Sequence, residues 1–162
     1  MLDQLPEGVR LVAVSKFHPN EAIEEAYKVG QRIFGESREQ ELSTKHETLP
    51  KDIEWHFIGH LQTNKVKYIA PYIAMIHGWK QLKHVCIAGV MGMGTNTDDE
   101  KEVEKEFRSL ADFFRSLKQD YFSQTDSFKE ISMGMSHDYH IAIKCGTTLV
   151  RVGSKIFGER IY

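Results

Sequence analysis

The sequence predicts an α/β fold built on a parallel sheet, and three observations carry that prediction. Short apolar runs recur along the chain, segments with helix start and stop signals separate them, and the runs are rich in Val, Ile and Met rather than strictly alternating. The last pattern is that of strands covered on both faces, which are parallel strands joined by helices.

Taken in order, RLVAVS at 10–15 reads as the first strand and leads straight into Lys16. A helix follows, with Pro19 in its first turn, an apolar stripe of Ala22, Ile23, Ala26 and Tyr27, and Gly30 at its end. RIFGE at 32–36 is the second strand, and Ser37 with Gln40 forms a capping box for the next helix. IEWHFI at 53–58 and IAMIH at 73–77 are the third and fourth strands, with Asn64 and Lys65 serving the helix between them. VCIAGVMGM at 85–93 is the fifth. Thr97 with Glu100 opens the longest helix, whose Val103, Phe107, Leu110, Phe114 and Leu117 share one face. EISMGM at 130–135 follows, then a helix from Ser136 to Gly146, then TLVRVG at 148–153. No repeat or Pro/Gly/Ser linker interrupts the chain, so residues 1–162 read as a single domain.

One connection is too short. Only GWKQLKH, residues 78–84, separates the fourth and fifth runs, whereas a parallel crossover through a helix needs about 10–12 residues or more. Seven strands in 162 residues also fall short of an eight-stranded barrel, which typically takes about 250 residues. Either a piece of the fold is absent around Gly78 and Trp79, or the chain there takes an unusual course.

Composition narrows the function classes. A hydrophobic content of 41%, a charged content of 27% and a formal charge of −2 describe a globular chain with no general attraction to nucleic acid or anionic membrane. No apolar run approaches the roughly 20 residues of a membrane span, and MLDQLPEGVR has no signal-peptide core. Cys86 and Cys145 are far apart and lack metal-ligand spacing, so reduced thiols and a cytoplasmic location are expected.

Three positions suggest chemistry. Lysine is seldom fully buried, so Lys16 is either solvated just past its strand or placed there for use. The C-terminal ends of parallel strands are where α/β barrels keep their working groups, and a partly desolvated amine loses its proton more easily and attacks an aldehyde. Ser136 at a helix start and Gly153-Ser154 after the last strand offer hydroxyls and backbone N–H groups to an anion, although plain capping and a tight turn explain each equally well. A lysine and a phosphate cradle together suggest pyridoxal 5'-phosphate (PLP).

The segments LVAVSK, IFGESREQEL, EWHFIGHLQTNKVK, MIHG, GVMGMG, SMGMSHDY and VRVGSKIFGER resemble, in order, those of the pyridoxal phosphate homeostasis protein family. That family's fold is similar to the alanine racemase barrel. The resemblance implies a TIM-barrel-like α/β fold lacking one strand–helix unit, with PLP held as a Schiff base on Lys16. It implies that Ser136, Gly153 and Ser154 hold the phosphate and that Arg151 faces the pyridine nitrogen, which would stay unprotonated beside a permanent cation. Such a ring is a poor electron sink, in keeping with a family that buffers or delivers the cofactor and is not an enzyme.

The chain departs from the family pattern in three places. Ser37 stands where the family has Asn, so a polar contact near the ring is altered. The helix expected before the first strand is mostly missing. After MIHG the chain is about sixty residues shorter than the family, whose barrel is built from eight strand–helix units. A barrel short of a stave exposes two sheet edges, which invites a homodimer.

Other features have plainer readings. His56 and His60 are four apart but straddle a strand end, so no metal site is expected; His77 ends a strand and lines the pocket or packs. Met91, Met93, Met133 and Met135 fit core packing, and TDDEKEVEKE fits a solvated helix face. The rival functional readings are a PLP-dependent amino-acid racemase, which would need a second acid/base across the ring, and an engineered or deleted scaffold that no longer binds PLP.

Overall fold

A computed structural model describes residues 5–77 and 86–158. Seven parallel strands alternate with helices, as the apolar runs predict: β1 (Arg10–Val14), β2 (Ile33–Glu36), β3 (Glu54–Phe57), β4 (Ile73–Ile76), β5 (Gly89–Met91), β6 (Glu130–Ser132) and β7 (Leu149–Val152). Each strand is shorter than its apolar run, by one residue at the ends of the first, third and fourth runs, where single backbone hydrogen bonds still extend the ladder. The helices are α1 (Asn20–Lys28), α2 (Glu39–Thr48), α3 (Val66–Ile69), α4 (Glu100–Tyr121), α5 (Tyr139–Lys144) and α6 (Ser154–Phe157). The fold is α/β of the barrel class, one strand–helix unit short of eight. The suspected junction at Gly78 and Trp79 lies outside the described residues. No helix among the described residues is long and apolar enough to cross a membrane.

The described residues cluster into two compact units, 5–11 with 86–152 and 12–77 with 153–158. In the second unit β1, β2, β3 and β4 lie side by side in that order. Phe34, Trp55 and Phe57 project from this sheet into a core closed by Ile23 of α1, Leu42 of α2 and Ile69 of α3, all essentially inaccessible to solvent. Apolar burial of this kind is the main driving force for the fold, at about 25 cal/mol for each Å² removed from water. In the first unit the order is β5, β6, β7. Val103 and Phe107 of α4 pack with Ile131, Met133, Ile141, Ala142 and Cys145.

Helix starts depart from expectation. Pro19 is the residue before α1 rather than within its first turn. The Ser37–Gln40 capping box does not form, because Arg38, in extended conformation, precedes α2 and contributes no side-chain cap. Glu39 and Glu41 in the first turn complement the helix dipole instead. At α4 the cap is Asp99 rather than Thr97: its carboxylate accepts from the N–H groups of Lys101 and Glu102 at 3.0 and 3.4 Å, while the Thr97 hydroxyl accepts from Asp99 N–H. A carboxylate next to the helix outcompetes a hydroxyl two residues earlier. Met93 is not a core residue, being 68% exposed, whereas Met133 is fully buried.

His46 of α2 lies flat on Tyr72, ring centroids 3.8 Å apart. Its Nδ1 is buried with no partner among the described residues. Burial, helped by the Lys51 ammonium, holds the imidazole below its ordinary value of 6.5. The unfolded chain therefore binds more protons than the folded one as pH falls below about 6.5, and stability declines through that window. His46→Phe, which keeps a stacked ring but cannot titrate, is expected to shrink the drop in urea midpoint between pH 7.5 and pH 5.5. An unchanged drop would assign the titration elsewhere.

Candidate cofactor site

The parallel order brings the C-terminal ends of β1, β2, β3 and β4 to one edge of the second unit. Register pairs Val14 with Gly35, Glu36 with Phe57 and Phe57 with Ile76. The ladder runs on past the strands through Ser15 N–H to Gly35 O at 3.0 Å, Ile58 N–H to Glu36 O at 2.8 Å and His77 N–H to Phe57 O at 2.8 Å. Lys16, Ser37 and His77 thus follow the ends of β1, β2 and β4 on the same edge, as the sequence pattern implies. Lys16 and Ser37 are half-buried and His77 is buried. Gly59 is required here: a Cβ on it would come within 2.4 Å of Ser37 O, so only glycine lets the chain after β3 lie against the end of β2.

Beside Lys16 sits a buried ionic group. The Ser15 hydroxyl donates to Glu36 Oε1 at 2.5 Å. Lys45 Nζ donates to Ser15 O at 2.9 Å, Glu36 Oε1 at 2.8 Å and Glu41 Oε1 at 2.7 Å. Burial raises the Glu36 carboxyl above its ordinary value, with the Lys45 ammonium pulling the other way. Phe17 N–H donates to Glu41 Oε1 at 2.7 Å, the Phe17 ring lies under the Arg38 guanidinium at 4.7 Å, and His18 stacks on Phe157 of α6 at 4.7 Å. The sequence reading missed Glu36, Glu41 and Lys45. A carboxylate closing the buried run RIFGE, and the four-residue Glu41–Lys45 spacing in a helix, were the available signals.

His56 and His77, both buried, approach at 2.9 Å between Nδ1 and Nε2, and His56 Nε2 lies 3.0 Å from Glu54 Oε1. An ionised carboxylate only accepts, so in the neutral form of His56 the proton sits on Nε2 and Nδ1 is left to accept from His77 Nε2–H. His60 is exposed and takes no part. No cluster of metal-ligating side chains occurs among the described residues.

Gly153 and Ser154 follow β7 and belong to the same unit as Lys16. A Cβ on Gly153 would meet the Val14 Cβ at 3.2 Å and Val14 O at 3.3 Å. The absent side chain therefore lets the segment close on the end of β1, two residues from Lys16, and it leaves backbone N–H groups and the exposed Ser154 hydroxyl at that edge.

Ser136 and Arg151 belong to the first unit. Ser136 does not begin a helix: α5 starts at Tyr139, with Asp138 before it. The Asp138 carboxylate takes the Met135 N–H at 2.5 Å and folds residues 135–138 into a turn that contains Ser136. Arg151, in β7, is buried; its guanidinium donates to Ser132 O and Oγ at 2.9 and 2.8 Å and to Gly92 O at 3.0 Å. Burial lowers its pKa to about 10, with the Asp138 carboxylate acting in the opposite sense, so it stays charged at neutral pH.

An all-parallel strand–helix chain with an amine after its first strand, and a glycine-serine segment beside it, is an α/β protein of the barrel class with polar groups gathered at its strand ends. No model of a known protein family matches the chain. It is 31% identical to the pyridoxal phosphate homeostasis protein of Aquifex aeolicus, over 94% of this chain and 88% of the relative. It is 33% identical to that of Schizosaccharomyces pombe, over 94% and 85%. Among solved structures, PipY of Synechococcus elongatus with PLP bound aligns at a TM-score of 0.86 and 32% identity, over 97% of this chain and 96% of that one. The chain belongs to the pyridoxal phosphate homeostasis protein family. The Aquifex alignment runs over 203 positions, more than the 162 residues here, so the relative carries residues without a counterpart in this chain.

Proposed function

We propose that this chain binds PLP and serves cofactor homeostasis, with Lys16 as the residue that bonds covalently to the cofactor's aldehyde. The observation that carries the reading is the family relationship over nearly the whole chain, including a relative solved with PLP bound. The donor chemistry present fits the coenzyme: an amine at a strand end, N–H and hydroxyl donors at Gly153, Ser154 and Ser136, and a buried guanidinium whose three hydrogen bonds go to neutral oxygens. Bound PLP supplies an aldehyde and an electron-withdrawing ring. In this reading Gly153 and Ser154 take the phosphate and Ser37 and His77 border the ring; phosphate contact by Ser136 and a place for Arg151 toward the pyridine nitrogen are what the family resemblance implies.

The family resemblance implies an arginine facing the ring nitrogen, and a charged donor there would prevent that nitrogen from being protonated, which favours a carrier over an enzyme. A cytoplasmic location fits the two free cysteines. β4 ends the strand order in its unit and β5 in the other; pairing of these edges between copies would give a homodimer, which sizing chromatography with light scattering reads directly.

The decisive experiment mixes the purified chain with PLP, records visible-region absorbance, reduces with borohydride and maps the adduct by peptide mass. Fixation on Lys16 is expected, with no alanine racemisation. Absorbance without a Lys16 adduct, or turnover of alanine, would overturn the proposal.

A further inference from the structure

We propose that Glu41 and Lys45, acting through Glu36 and the main chain on either side of Lys16, are positioning residues that fix the Lys16 amine. The inference rests on the reading of Lys16 as the cofactor lysine.

A lysine side chain is long and flexible, so its amine is placed only as well as its backbone is. Around Lys16 that backbone is gripped from elsewhere. Ser15 N–H remains in the ladder with Gly35 O, and Ser15 O accepts from both Lys45 Nζ and His18 N–H. On the other side, Phe17 N–H is held by Glu41. The turn supplies one bond of its own, His18 N–H to Ser15 O, and the rest of the grip comes from β2 and α2, up to 30 residues away.

Two features point to placement rather than to bulk stability. Phe17 has a φ of 66°, and no other non-glycine among the described residues has a positive φ. A bulky residue persists in this region only where its surroundings over-determine it. Lys45 is 5% exposed, and its ammonium has three N–H donors and three acceptors: a carbonyl and two carboxylates. Buried ion pairs of this kind often add little net stability, since desolvation offsets the attraction. Here the arrangement selects one backbone conformation. Glu41 is the member that contacts both the ammonium and the turn beyond Lys16.

The test uses the full chain with Glu41→Ala and Glu41→Gln. Amide hydrogen exchange at Phe17, measured without PLP, reads the grip; PLP titration and borohydride fixation on Lys16 read its consequence. Glu41→Ala is expected to speed exchange at Phe17 and to raise the PLP dissociation constant by roughly tenfold, about the worth of one charge-assisted hydrogen bond. The thermal midpoint should stay within a few degrees. Glu41→Gln, which keeps an acceptor oxygen, should restore most of both. Wild-type PLP affinity in Glu41→Ala would overturn the proposal, and so would a loss that follows the thermal midpoint and is not rescued by Gln. A wild-type chain that fixes no PLP on Lys16 overturns the cofactor reading first, a result visible before any variant is made.

Discussion

Lys16→Ala is expected to remove the PLP-dependent visible absorbance and the borohydride-stable adduct altogether while leaving the fold intact. The two halves of the expectation have separate causes. The amine is the only part of Lys16 that can bond to an aldehyde. The side chain is half-buried beyond the end of β1, and the strand is anchored by Leu11, Val12, Ala13 and Val14, all buried. Truncating it leaves the ladder bond from Ser15 N–H and the Glu36–Lys45–Glu41 group in place. Far-ultraviolet circular dichroism and the urea midpoint should therefore stay close to wild type. Residual fixation at another lysine, with unchanged affinity, would move the cofactor site away from β1.

Lys45→Met is expected to cost about 3–5 kcal/mol in urea unfolding, the typical penalty for leaving one member of a buried ion pair alone. The Glu36 side chain is 0% exposed and its Oε2 has no partner among the described residues, so it depends on the Lys45 ammonium for compensation. The pH dependence follows with a definite sign. Burial already raises the Glu36 carboxyl above 4.5, and removing the ammonium raises it further. A group that binds its proton more tightly folded than unfolded gives its full stabilisation below the unfolded value and loses it as pH rises through the folded one. The deficit of Lys45→Met should be smallest near pH 5 and should widen toward pH 8. Adding Glu36→Gln should recover much of it at neutral pH, since no buried charge is then left unpaired. A deficit below about 1 kcal/mol, in the range of exposed pairs, would mean that water reaches Glu36.

Much of this was legible from local pattern. All seven strands fall inside apolar runs, because a strand buried on both faces must be apolar along its length. α1 and α4 follow their stripes, with Ile23, Ala26, Val103 and Phe107 buried as the spacing required. Helix caps were less legible: Ser37, Thr97 and Ser136 each have the right chemistry, yet none is the residue before its helix, and at α4 the adjacent Asp99 took the role. Capping is a competition among neighbours that differ by about 1 kcal/mol or less, which composition does not resolve.

By itself the sequence determined the alternation of strand and helix, the parallel sheet, the family, and the position of Lys16 at the end of β1, because each is written in periodicity or in contiguous motifs. Only the tertiary structure decided what surrounds that lysine. Glu36, Glu41 and Lys45 are ordinary charged letters along the chain. They become one buried group only when α2 packs over β1 and β2, bringing an ammonium to the carbonyl of a serine 30 residues earlier. An ammonium and a carbonyl 30 residues apart share no local signature, and burial turns a charge that would otherwise be solvated into a constraint on the backbone.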